Sequence, residues 1–158
     1  MKSRLALLLA LSIALPAAFA MAQESATSNM EILREKIKAD KKLLVADNMG
    51  LTDAEGKAFW PIYDAYQKDL QRLNARLEKM IDSYAEAYNK GSLSNATAKK
   101  LLGEAIAIDE AEVALKRSYV PKLEKAIPAA KVARYIQIEN KIRALLRYEL
   151  AAEIPLVD

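Results

Sequence analysis

Between Thr52 and Asn89 the apolar residues Phe59, Tyr63, Tyr66, Leu70, Leu73, Leu77, Met80, Tyr84 and Tyr88 recur in steps of 4, 3, 4, 3, 4, 3, 4 and 4. That spacing draws one stripe along a long helix, close to a heptad seam that another helix must bury. No stretch of the chain alternates with the period of two that a half-buried strand requires. The seam therefore points to an all-α fold.

The turns around the seam follow from local chemistry. Thr52 and Glu55 have capping-box spacing at the start of the long helix. Gly50 suits the left-handed residue just past the end of a preceding helix. That first helix opens at Ser28 with Glu31, a second capping box, and sets Met30, Leu33, Ile37 and Leu44 at helical spacing. Its opposite face carries Arg34, Lys38, Lys41 and Lys42. Only Gly50 to Thr52 separates the two helices, so they are expected as antiparallel neighbours.

Pro61 lies well inside the long helix, where it removes a donor and crowds the carbonyl four residues back. A kink or short break near residues 58–60 is expected. Gly91 and Ser92 end the helix, and Ser94 caps a third that runs to about Ala126. The third helix has two adjacent apolar rows. Leu101, Ala105, Ile108, Leu115 and Tyr119 form one; Leu102, Ile106, Val113, Val120 and Ile127 form the other. Two rows predict a wide buried face against two helices, with a second kink at Pro121. Pro128 fits the first position of a fourth helix, which aligns Tyr135, Ile138, Ile142, Leu145 and Ala152 and sets Arg134, Lys141, Arg143 and Arg147 elsewhere. Pro155 stops it, leaving Ile154 to Asp158 as a short apolar tail folded back on the body.

The expected architecture is four helices in an elongated or curved antiparallel arrangement, with one long central helix over about 52–90. Thirty-eight residues of helix span ~57 Å, whereas a compact domain of this size is ~37 Å across. The chain is thus elongated or curved, or a second copy in a homodimer covers the overhang. The start of the chain reads as an address. Lys2 and Arg4 precede an apolar run from Leu5 to Leu15, and Ala20-Met21-Ala22 has the A-x-A form of a cleavage site. Residues 1–22 are expected to be a signal peptide cleaved near Ala22, 23–28 a flexible tail, and 29–158 a single helical domain exported to a bacterial periplasm. Without Lys2 and Arg4, 22 basic residues face 21 acidic ones. No broad positive field argues for nucleic acid.

Histidine and cysteine are both missing from the 158 residues. Histidine-centred triads, Glu-x-x-His metal pairs and thiolate chemistry are therefore excluded. No Gly-rich loop can cradle phosphate, and Asp109, Glu110 and Glu112 lie on one helix without a calcium-loop pattern. No enzyme, metal or cofactor is expected. The candidate client- or partner-binding residues are the basic face of the first helix, Arg34, Lys38, Lys41 and Lys42, together with Phe59, Trp60 and Ile62. Five bulky residues from Phe59 to Tyr63 cannot all point inward from one helix. Either a bend at Pro61 redirects some, or Trp60 and Ile62 remain exposed as a contact patch.

An exported, cysteine-free, four-helix chain with Leu51-Thr52-Asp53-Ala54-Glu55 at the start of its long helix resembles the Spy/CpxP family of periplasmic stress proteins. That family carries L-T-x-x-Q at helix starts; Glu55 stands here where the family has Gln, and either closes a capping box. The second family motif, L-T-P-x-Q followed by a basic residue, is matched only by Pro128 and Lys131 of Ala126-Ile127-Pro128-Ala129-Ala130-Lys131. The resemblance implies thin, curved helical dimers. It further implies an ATP-independent holdase chaperone for unfolded envelope proteins, or an accessory that dampens an envelope stress sensor. The metal-sensing relatives use histidine, which this chain lacks. A structural or regulatory adaptor for one specific envelope partner is the alternative. Membrane contact would be at most peripheral, through the first helix and Ile154 to Val157.

Overall fold

The computed structural model describes residues 40–157. Four helices occupy these residues: α1 over 40–49, α2 Asp53–Asn89, α3 Asn95–Glu124 and α4 Ala129–Glu153. No strand is present among the described residues. The expected signal peptide, the expected Ser28 capping box and the expected first turns of the first helix lie outside them.

The helix boundaries follow from the residues at each turn. Gly50 takes φ +56° after α1 and Gly91 takes φ +59° after α2, a conformation that costs a residue with a Cβ. Thr52 closes its capping box in both directions. Its Oγ1 accepts from Glu55 N at 3.3 Å, and its own N–H donates to Glu55 Oε2 at 2.7 Å. Ser94 caps α3 by accepting from Thr97 N at 3.2 Å. Pro128 is the residue just before α4 rather than its first residue, so the expected start moves by one.

The break expected at residues 58–60 is not present: α2 is continuous helix through Pro61. Pro61 and Lys57, whose carbonyl loses its partner, are both exposed. That carbonyl stays in reach of water, and the loss of one bond is tolerated while aromatic packing holds the flanking turns. Pro121 sits in α3 in the same way, with Arg117 exposed four residues before it.

Neighbours along the chain run antiparallel. Lys41 and Lys42 of α1 meet Gln67 and Asp64 of α2. Arg76 of α2 meets Glu104 of α3, while Asp69 meets Tyr119. Asp109, Glu112 and Lys116 of α3 meet Arg147, Arg143 and Asn140 of α4. α2 and α4 run parallel and also touch, through Gln67 to Glu139 and Asn74 to Arg143. At 1.5 Å per residue α2 alone is ~55 Å long.

The apolar core sits toward one end of these helices. Val45 and Met49 of α1, Phe59, Tyr63, Tyr66 and Leu70 of α2, Tyr119 and Leu123 of α3, and Val132 and Tyr135 of α4 bury against one another. On α2 no residue after Leu70 is buried; Leu73, Leu77, Met80, Tyr84 and Tyr88 are half-buried. Replacing Phe59, which is fully buried, with alanine is expected to cost about 3–5 kcal/mol. Leu102→Ala, at a residue 62% exposed, should change stability by less than about 0.5 kcal/mol. Urea unfolding of the two variants measures both.

Candidate functional site

The expected binding residues separate in the fold. Arg34 and Lys38 lie outside the described residues. Lys41 is not an available cation: its Nζ donates to Gln67 Oε1 and Glu139 Oε2, both at 2.8 Å. Phe59 is not surface either. Its ring lies edge-on to Tyr135 at 5.1 Å between centroids and is fully enclosed, so it is a core residue and cannot meet a partner in this state. Trp60 and Ile62 are half-buried against the core. The five residues fan around the continuous helix: Phe59 and Tyr63 are buried, Pro61 is exposed, and Trp60 and Ile62 are half-buried on the flanks.

Trp60 is held by its neighbours. Its ring stands edge-on to Phe59 at 5.0 Å and to Tyr63 at 5.3 Å. Lys42 Nζ lies 5.3 Å from the Trp60 centroid and 2.8 Å from Asp64 Oδ1. The cation thus covers the indole, and Lys42 and Trp60 are the two expected residues that the fold does bring together at the surface. Beside them Ala46, Leu51, Gly56, Lys57 and Pro61 line a shallow groove of about 660 Å³.

A polar layer crosses the middle of the helices. Glu139 is 3% exposed; it accepts from Lys41 and from Gln67 Nε2 at 2.8 Å, while Gln67 Nε2 also reaches Tyr135 Oη at 3.2 Å. Glu112, also 3% exposed, faces Lys116 at 2.9 Å, Arg143 at 2.7 Å and Arg147 at 3.2 Å. Burial alone would push the Glu112 carboxyl up, but Lys116 and Arg143 overcome it and hold the group below the usual carboxylate value. Tyr119 donates to Asp69 Oδ2 at 2.7 Å, and burial with that bond pushes its hydroxyl up to about 12. Burial likewise pushes Tyr63, Tyr66 and Tyr135 up. Their neutral, hydrogen-bearing forms are thus secured. The layer consists of cations that match carboxylates, an arrangement that specifies register. Among the described residues no group of three or more acidic side chains is placed to hold a metal ion.

The two stretches that carry the family resemblance meet in space. Lys131 Nζ donates to Glu55 Oε2 at 2.6 Å and to Gly50 O at 2.8 Å. This pins the α1–α2 turn to α4, and the bond holds Glu55 below the usual carboxylate value.

An apolar concavity lies at the other end, and sequence reading missed it. Met80, Ile81 and Tyr84 of α2 form one wall, and Ala98, Leu101, Leu102 and Ala105 of α3 the other. The segment 154–157 runs along it, enclosing about 550 Å³. Tyr84 Oη donates to Pro155 O at 2.9 Å, so the tail is folded back as expected. On α3 the second apolar row is not buried: Leu102, Ile106 and Val113 are 62, 52 and 55% exposed. α2 and α4 cover the arc that holds Ile108, Glu112 and Tyr119, and no described element covers the next arc. Only the lower end of that row, Val120 and Ile127, reaches the core. The signal that could have separated the two rows is charge, since Glu112 is in the arc that three basic groups, Lys116, Arg143 and Arg147, approach. Another groove of about 370 Å³, between Leu77 and Ile81 of α2 and Leu146 and Leu150 of α4, is also lined by Glu78, Asp82, Glu149, Glu153 and Arg143.

No protein-family model matches the chain, and neither the search of curated proteins nor that of solved structures found a match. No helix among the described residues is long and apolar enough to cross a membrane.

The polar layer sets an acid limit on stability. A carboxyl whose folded value is depressed contributes stability that is complete above its unfolded value and is lost as pH falls through the folded one. For Glu112 the unfolded value is 4.5, so the loss begins below that. Glu112→Gln is expected to cost about 1–3 kcal/mol at neutral pH, and the gap to the parent should narrow at about pH 3.5. Urea midpoints at the two pH values check this; a gap independent of pH would show that the charge is not what Glu112 contributes.

Proposed function

We propose that the chain is a non-enzymatic helical binding protein of the bacterial periplasm. On this reading it acts as an ATP-independent holdase or envelope-stress accessory that engages apolar segments of unfolded or partner proteins. The observation that carries the reading is the open apolar surface at the end away from the core. There the groove between α2 and α3 adjoins exposed Leu102 and Ile106. Contiguous exposed apolar surface of this kind marks interaction sites in soluble proteins. Three further features support it: the leader sequence of residues 1–22, the absence of histidine and cysteine, and the Spy/CpxP-like turn at Leu51 to Glu55, which Lys131 ties to α4.

The surface proposed here differs from the one expected from sequence. Lys41 is committed to Gln67 and Glu139 and Phe59 to the core, whereas the Lys42–Trp60 pair keeps partial access as a secondary contact. The alternative reading, an adaptor for one specific envelope partner, is favoured by the discrete size of the groove, about 550 Å³, which suits a single peptide segment better than a range of clients. A homodimer through the exposed α3 row is compatible with either reading.

The test is suppression of aggregation of a reduced or heat-unfolded client by residues 23–158. The expected outcome is concentration-dependent suppression, reduced several-fold by Leu102→Asp with Ile106→Asp, variants at exposed positions that leave the core intact. No suppression at several-fold molar excess would remove the holdase reading. Capture of one dominant protein from envelope extract would then favour the adaptor.

A further inference from the structure

The groove between α2 and α3 is bordered along its length by the chain's own residues 154–157, and that segment indicates what else can lie there. Helix α4 stops at Glu153 because Pro155 disfavours helical geometry at the residue before it; Ile154 is extended, with φ −89° and ψ 117°. From there the chain runs Ile154-Pro155-Leu156-Val157 along the apolar walls of the groove. Tyr84 Oη reaches out from α2 to a backbone carbonyl, Pro155 O, at 2.9 Å. A contact to a carbonyl is indifferent to side-chain identity, and any extended peptide can supply one. The walls are apolar and so select for apolar side chains.

The occupant is also poorly seated. Leu156 is 87% exposed and Val157 58%. Two apolar side chains thus stay largely in water beside Met80, Leu101 and Leu102, which could cover them. A segment whose apolar side chains stay this exposed, on the backbone of which Tyr84 Oη rests, belongs to the low-stability end of a structure.

We propose that this groove is a receptor for an extended apolar peptide segment, and that Ile154 to Val157 is its resident, displaceable occupant. This rests on the binding-protein reading above and names both the ligand class and the regulation of that site. An incoming segment of the Ile-Pro-Leu-Val type places its own carbonyl on Tyr84 Oη and sets alternate side chains against the walls. The tail competes as an intramolecular ligand at an effective concentration in the millimolar range. Weak apolar segments are thereby excluded and longer or better-fitting ones admitted, without any energy source.

The experiment uses a fluorescein-labelled peptide of the chain's own Glu153 to Asp158 sequence and reads anisotropy. Three proteins are compared: residues 23–158, the same chain ending at Glu153, and the full-length double variant Ile154→Asp, Pro155→Gly, which unseats the tail without removing it. Circular dichroism checks helix content, and emission from Trp60, the single tryptophan, reports on the core end. The expected result is saturable binding to the shortened chain and to the double variant, at least about tenfold tighter than to 23–158. Tyr84→Phe in the shortened chain should weaken it several-fold. A peptide with aspartate at the positions of Leu156 and Val157 should not bind. If both altered proteins keep their helix content and neither binds the peptide, or if all three bind it equally, the proposal is overturned. Aggregation suppression by the same three proteins separates the two levels. Suppression without peptide binding overturns the groove and leaves the binding function standing. Peptide binding without suppression supports the groove and removes the holdase.

Discussion

Tyr135 of α4 stands edge-on to Phe59 and Tyr66 of α2, and Tyr66 stands edge-on to Tyr119 of α3, all with centroids 5.1 to 6.0 Å apart. Through these rings three helices share one contact, and Val45 and Met49 bring in the fourth. Edge-to-face rings add to the large apolar area each ring buries. The rest of the arrangement depends on this cluster. It keeps α2 helical across Pro61, and it sets the height at which the polar layer forms. It also concentrates the apolar burial at one end, so that the other end has less to hold it closed.

The polar layer does a different task. Lys41, Gln67 and Glu139 link α1, α2 and α4, while Glu112 gathers Lys116, Arg143 and Arg147 between α3 and α4. A buried carboxylate in a neighbouring register would lose these cations, so the layer penalises sliding of one helix past another. Tyr66 Oη is buried without a protein hydrogen-bond partner, and its ring packs edge-on to Tyr119 and Tyr135. Beyond the layer the helices continue as an amphipathic scaffold whose apolar stripes are incompletely covered. On the proposed reading those stripes carry the binding surface: one end holds the shape while the other leaves apolar side chains open.

Much of the fold was legible in the residues because its cues are local. Gly50, Thr52 with Glu55, Ser94 and Gly91 each act within four residues of themselves, and each turn formed where those residues stand. The periodic seam named Phe59, Tyr63, Tyr66 and Leu70 as inward-facing for the same reason. The short break weighed at Pro61 did not form. The local rule counts a lost bond and a clash, but not the exposure of Lys57 or the ring packing that keeps the helix whole. The candidate site was least legible. Trp60 and Ile62 were singled out for bulk in a run and Lys41 for charge on a face. Whether a bulky or charged side chain meets solvent or a neighbour is decided by residues 20 to 100 positions away.

From its sequence alone this protein was determined to be an all-α chain with one long central helix, tight capped turns and no histidine or cysteine chemistry. Period, caps and composition are properties of a chain segment, and they do not wait for tertiary contacts. Tertiary structure alone decided which of the two apolar rows on α3 is covered, that Lys41 is spent on Glu139, and that Ile154 to Val157 lies in a groove with Tyr84 on its backbone. Helices offer stripes wider than one neighbour can cover, and the layer of matched charges chooses the face. The row left over, Leu102, Ile106 and Val113, stays in solvent because no described helix packs on that arc, while Arg143 and Arg147 meet Glu112 on the arc beside it.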